Sequence, residues 1–100
     1  MTNTNEASDA DPFELLLTLA HEMRSRGFEA RVIKPEGELR PFCRVESSAS
    51  AELAEHVTCK EADGEWQFIW SWGFPIAPVR HLESAAERVA YVLSPQSSPR

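Results

Sequence analysis

The chain has 100 residues, a formal net charge of −6, 26% charged residues and 42% hydrophobic ones. That is the length and composition of one ordinary globular domain, with no apolar run near the ~18–20 residues a membrane helix needs. Residues 1–14 carry Glu6, Asp9, Asp11 and Glu14 and no base, so the rest of the chain is only two charges negative, which argues against general nucleic-acid affinity.

Residues 1–10 contain little that is apolar and are expected to form a disordered acidic tail. The start MTNTNEASDADP is polar and acidic. It has the pattern of neither a secretory signal nor a basic transit peptide, so the expected compartment is the cytoplasm. Asp11-Pro12-Phe13-Glu14 is a helix start, with Asp11 as N-cap, Pro12 at the first helical position and Glu14 at the capping-box position. The apolar stripe that follows is Phe13, Leu16, Leu17, Ala20 and Met23, widened by Leu15 and Leu19. Arg24 and Arg26 suit the C-terminal dipole, and Gly27 suits the left-handed position after it.

Phe28–Lys34 reads as a first strand and Leu39–Glu46 as a second, with Pro41 near its start. A two-residue Glu36-Gly37 loop between them predicts that Val32 faces Pro41, Ala30 faces Cys43 and Phe28 faces Val45. This register gathers the apolar residues on one face and puts Arg31, Arg40, Arg44 and Glu46 on the other. For residues 47–54 the pattern leaves loop, helical turn and strand open. Leu53–Glu61 reads as a third strand. Asp63-Gly64 is a strong hairpin signal and predicts Cys59 opposite Phe68 and Val57 opposite Trp70.

Trp66–Ile76 holds all three tryptophans and two of the five phenylalanines. Trp66, Phe68, Trp70 and Trp72 fall on alternate residues, so on a strand their rings share a face. Gly73-Phe74-Pro75 is expected to end this fourth strand, and Pro75 and Pro78 to hold Ile76–Val79 extended. Leu82–Leu93 is a second helix, with Leu82, Ala85, Ala86, Val89, Val92 and Leu93 inward and Glu83, Glu87 and Arg88 toward solvent. Pro95 stops it, and residues 95–100 form a tail.

The expected fold is α+β: helix, four-stranded antiparallel meander, helix, with both helices packed on one face, in a single domain spanning 11–94. The expected core is Phe13, Leu16, Leu17, Ala20, Val32, Val45, Val57, Phe68, Trp70, Ala86, Val89 and Leu93.

Little in the sequence points to chemistry. The acids fall in tails, turns and outer helix faces. Cys43 and Cys59 are not at metal-ligand spacing and read as reduced core thiols. His56 faces away from both. A pair of His21 with one of the cysteines is the one nucleophile–base combination the geometry allows. No phosphate loop, HExxH, GxSxG or EF-hand pattern is present. No cofactor or metal is expected, and the chain reads as a non-enzyme.

Three surfaces are candidates for binding. The strand break at Trp72, Phe74 and Pro75 offers aromatic anchors to a protein partner or to a second copy. The sheet edges offer strand addition. Arg31, Arg40, Arg44 and Lys60, beside Phe42 and His56, form a basic strip of the kind that stacks single-stranded bases. The expected function is a small cytoplasmic interaction module, either an accessory subunit or chaperone-like, with a nucleic-acid-associated regulator as the alternative.

The runs DPFELLLTLAHEMRSRGFEARV and AEHVTCKEADGEWQFIWSWGFPIAPV, most specifically EADGEW-x-F-x-WSWG-x-PI, resemble a group of small uncharacterised proteins of actinomycete bacteria. Arginine outnumbers lysine eight to two, which agrees with a high-GC source. The resemblance implies one domain and carries no activity or site residue. The helix–strands–helix order is also that of double-stranded RNA-binding domains. However, this chain has an extra strand, and His81, Glu83 and Ser84 stand where that family has a lysine cluster.

Overall fold

The computed structural model describes residues 11–37, 40–49 and 52–93. The expected tails at 1–10 and 95–100, Leu39 and the Pro95 helix stop lie outside those residues. In chain order the elements are α1 (Pro12–Ser25), β1 (Glu29–Ile33), β2 (Phe42–Glu46), β3 (Ala54–Ala62), β4 (Glu65–Trp70), β5 (Pro75–Pro78) and α2 (Leu82–Leu93). The fold is α+β, and the strands form one antiparallel sheet in sequence order.

α1 begins as its sequence dictates. The Asp11 carboxylate accepts from the Phe13 N–H at 3.0 Å, and Pro12 opens the helix. Asp11→Ala is expected to lower stability by about 1 kcal/mol, read from urea denaturation, because one helix N–H then loses its partner. Leu16, Leu19, Ala20 and Met23 form the buried stripe. Two expected core residues fall outside it. Leu17 is on the shoulder of the helix and exposed, and Phe13 is half-buried with the Lys34 ammonium 5.4 Å from its ring centre. The stripe is centred one position away from Leu17, so Leu19 takes the place expected for it.

The Asp63-Gly64 hairpin forms as predicted: Cys59 pairs with Phe68 and Val57 with Trp70. Asp63 and Gly64 both have positive φ, 56° and 78°, the backbone that a two-residue turn between twisted strands needs. The first hairpin differs. Ala30 pairs with Val45 and Val32 with Cys43, two residues from the expected register, and residues 34–41 connect the strands. Pro41 has no N–H to give to a ladder, so pairing starts only at Ile33–Phe42. A two-residue shift leaves every side chain on its expected face, because side-chain period along a strand is also two. Between β2 and β3, none of the described residues is helical, and Ser47 N–H donates to the Leu53 carbonyl at 2.8 Å.

The sheet has five strands, not four. β4 ends at Trp70, and the chain turns back through Ser71–Phe74. Trp70 N–H donates to the Phe74 carbonyl and Gly73 N–H to the Trp70 carbonyl, each at 2.8 Å, with Gly73 at φ 95°. β5 then pairs with β4 through Phe68–Ala77 and Gln67–Pro78, with an irregularity between Phe68 and Ile69. Two prolines make Ile76–Val79 an unpromising strand, yet prolines are tolerated at a sheet edge, and β5 is an edge.

One core joins both helices to the sheet. Leu16, Leu19, Ala20 and Met23 of α1 and Ala85, Ala86, Val89 and Leu93 of α2 pack with Cys43, Val45, Val57, Cys59, Phe68, Trp70 and Ile76. Val32, an expected core residue, packs against this cluster only partly buried.

Candidate functional site

Among the described residues, five large apolar side chains are exposed: Leu17, Trp72, Phe74, Tyr91 and Val92. Trp72 and Phe74 belong to the β4–β5 turn, and Pro75 beside them is exposed as well. Trp72 is 57% exposed and Phe74 67%. Trp72 is not on a strand, but it folds back so that its indole stacks on that of Trp70, with ring centres 4.9 Å apart and planes 6° from parallel. One face of the indole is thus held by a buried ring while the residue remains largely in water. The two turn hydrogen bonds hold the backbone between them. Trp66, the first ring of the run, is half-buried against the core.

The face of the sheet turned away from the two helices carries the basic strip in a broken form. Arg31 and Arg44 are direct cross-strand neighbours. Arg44 Nε donates to Glu46 Oε2 at 2.7 Å, and its Nη1 lies 3.3 Å from His56 Nε2. His56 packs its ring on Phe42, with centroids 4.5 Å apart. Glu29 and Glu46 flank Arg31 and Arg44 around a shallow cleft of about 190 Å³. Arg40 is exposed beyond the start of β2. Lys60 lies opposite Gln67, four residues from His56 and so about 13 Å along the strand. Acids and distance break the four cations into separate groups.

Each sheet edge, expected to be open, has one backbone carbonyl taken by a helix arginine. Arg24 Nε donates to the Ala30 carbonyl of β1 at 2.8 Å. Arg88 donates through Nη1 to the Ile76 carbonyl of β5. The Pro78 carbonyl accepts from His81 N–H at 2.9 Å, and Pro75 and Pro78 have no N–H to offer. Each helix therefore sends one arginine to the backbone of the nearer edge strand, which blunts strand addition. Arg24 was expected to serve the helix dipole and Arg88 to point into solvent. Their acceptors are backbone carbonyls brought close only by folding, and no residue spacing announces such a contact.

Cys43 and Cys59 are free and buried. Burial pushes both thiols up from 9.0 to about 12, with the neighbouring Cys43 adding to the effect at Cys59 and Arg24 opposing it at Cys43. Such thiols are poor nucleophiles at neutral pH. His21 is exposed on α1 while both thiols are buried, so the His21–cysteine combination that the sequence allows does not form. Among the described residues, no three His, Cys, Asp or Glu side chains gather as a metal site would require. Among the described residues, no helix is long and apolar enough to cross a membrane.

No protein-family model, curated protein or solved structure matches the chain.

Proposed function

We propose that the chain is a small non-enzymatic protein-interaction module of the cytoplasm, an accessory subunit or chaperone-like protein, whose contact surface is the Trp72–Phe74–Pro75 turn. The observation that carries this reading is the exposure of Trp72 and Phe74 on a turn held by two backbone hydrogen bonds and a ring stack. A large ring presented in a fixed pose loses little entropy on contact, which is why Trp and Tyr dominate interface hot spots. The inward-facing thiols and the Glu46-paired Arg44 offer less for a partner to hold than this turn does.

A second reading is a nucleic-acid-associated regulator using Arg31, Arg40, Arg44 and Lys60. The Phe42–His56 ring pair beside Arg44 favours it. The Glu29 and Glu46 carboxylates on the same face weigh against it, because each offsets a cation that would otherwise displace counterions.

One set of variants separates the two. In co-purification from the native host, Trp72→Ala and Phe74→Ala are expected to lose a partner that wild type retains, and the triple change Arg31→Glu, Arg40→Glu, Arg44→Glu to keep it. Partner retention equal in all variants would overturn the first reading. Loss of single-stranded RNA binding in the triple variant alone would establish the second.

A further inference from the structure

The face of the sheet turned away from the helices holds an open cleft of about 430 Å³. Two cross-strand pairs line it, Thr58 with Ile69 and Lys60 with Gln67. These residues alternate with Val57, Cys59, Phe68 and Trp70, which belong to the core under the helices, so they point the other way. Pro75 of β5 is the partner of Ile69 on its other side and also lines the cleft. Ser71 follows Ile69 by two residues, and its N–H donates to the His56 carbonyl at 3.0 Å. Lys60 and Gln67 thus stand at one end of the cleft, Ser71 at the other, and Ile69 between them.

Lys60 is the one ionisable side chain in that lining. Among the described residues its ammonium has neither an ion pair nor a hydrogen bond. The carboxylate closest to it in the register on this face, that of Glu65 two residues before Gln67, is paired with Arg80. The charges of the other clefts are already engaged. Between β1 and β2, Arg31 and Arg44 stand with Glu29 and Glu46. Beside β5, Arg88 donates to the Ile76 carbonyl. At the start of α2, Arg80 is held by Glu65. The Lys60 cleft therefore combines one uncommitted cation, the uncharged donors Thr58, Gln67 and Ser71, and an apolar floor of Ile69 and Pro75. Its complement is a molecule with one negative end and an apolar body.

We propose that this cleft binds a small organic carboxylate with a flat apolar body, of the aryl-alkanoate class. The carboxylate is held by the Lys60 ammonium and the Gln67 amide, and the ring lies over Ile69 against Pro75, within reach of the Thr58 and Ser71 hydroxyls. Charge selects a monoanion, since a single ammonium meets one carboxylate, whereas phosphate sites gather arginines or a helix N-terminus. Shape selects a flat body, since a sheet face and a proline ring make a level floor. The volume falls within the ~300–1,000 Å³ of small-molecule sites. The cleft is open, so one side of the ligand stays in water, and a ligand of about 11 heavy atoms is held with about millimolar affinity. The site uses neither Trp72 nor Phe74, so it stands or falls separately from the turn as a protein-contact surface.

The test is titration of the full 100-residue chain with 3-phenylpropionate at low ionic strength, followed by residue-resolved amide shifts in NMR spectra. Saturable shifts are expected at Thr58, Lys60, Gln67, Ile69 and Ser71. The uncharged analogue 3-phenylpropionamide is expected to bind about five- to tenfold more weakly, the effect of losing one partly exposed charged contact. Lys60→Gln is expected to bring the acid down to the level of the amide. Lys34→Gln, at the only other lysine, is expected to change nothing. Lys60 is exposed, so its replacement leaves the fold intact, and near-UV circular dichroism verifies this. The proposal is overturned by shifts that do not saturate or that centre on another surface. It is equally overturned if acid and amide bind alike, or if Lys60→Gln and Lys34→Gln have the same effect.

Discussion

Trp70→Ala is expected to lower unfolding free energy by about 3–5 kcal/mol, the usual loss for deleting a large buried ring. Trp70 is 7% exposed, pairs with Val57 across the hairpin and supports the indole of Trp72. For a domain of ordinary stability, about 5–15 kcal/mol, that is a large share of the total, and it would show as a melting temperature lower by some tens of degrees. Trp72→Ala removes a ring that is mostly in water and is expected to cost about 1 kcal/mol, chiefly the stacking contribution. Urea denaturation of the two variants compares them directly. A loss below about 1 kcal/mol for Trp70→Ala would mean that its ring does not fill the space between sheet and helices.

The second large effect is alkaline. Both thiols sit at about 12 in the folded protein against 9.0 for an ordinary one. Burial favours the neutral S–H, so between these values the folded state holds protons that the unfolded state has released. Stability that is fully present below pH 9 is therefore lost as pH rises from 9 toward 12. At about pH 10 each thiol accounts for about 1.4 kcal/mol, or ~3 kcal/mol for the pair. Melts at pH 8 and pH 10 are expected to show this drop in wild type. In the double variant Cys43→Ala, Cys59→Ala, less stable at the outset because of the vacated volume, most of the drop should vanish. An equal drop in both proteins would mean that the buried thiols are not its source. The same burial predicts that alkylation of native protein at pH 8 proceeds only as fast as the chain opens.

The proposed contact surface was legible in part. Gly73 and Pro75 announce a break in the chain, and two aromatic residues beside a break, Trp72 and Phe74, are exposed more readily than two within a strand. The exposure of Val92 was not legible. Val92 reads as inward by helical spacing, and only the seat of α2 against β5, shown by the Arg88–Ile76 contact, turns it outward. A cleft of about 430 Å³ whose lining includes Thr58, Ile69 and Pro75 is equally invisible in one dimension, since Thr58 and Pro75 come from strands that meet only through β4.

The features that follow from neighbours in the chain were determined by the sequence alone. They include the Asp11 cap, the limits of α2, the Asp63-Gly64 register and the faces of all four expected strands. Periods of 3.6 and 2 and a two-residue turn act over a few residues, so local steric and hydrophobic patterns suffice to specify them. Tertiary structure decided what depends on contacts between distant segments. It lengthened the first connection by denying Pro41 a place in the ladder, recruited the proline-bounded Pro75–Pro78 as a fifth strand on an edge, and turned Leu17 and Val92 toward water. It also spent Arg24 and Arg88 on edge carbonyls. Backbone groups at a sheet edge must find a donor or acceptor wherever packing supplies one, and which side chain arrives there is settled by how the helices seat on the sheet.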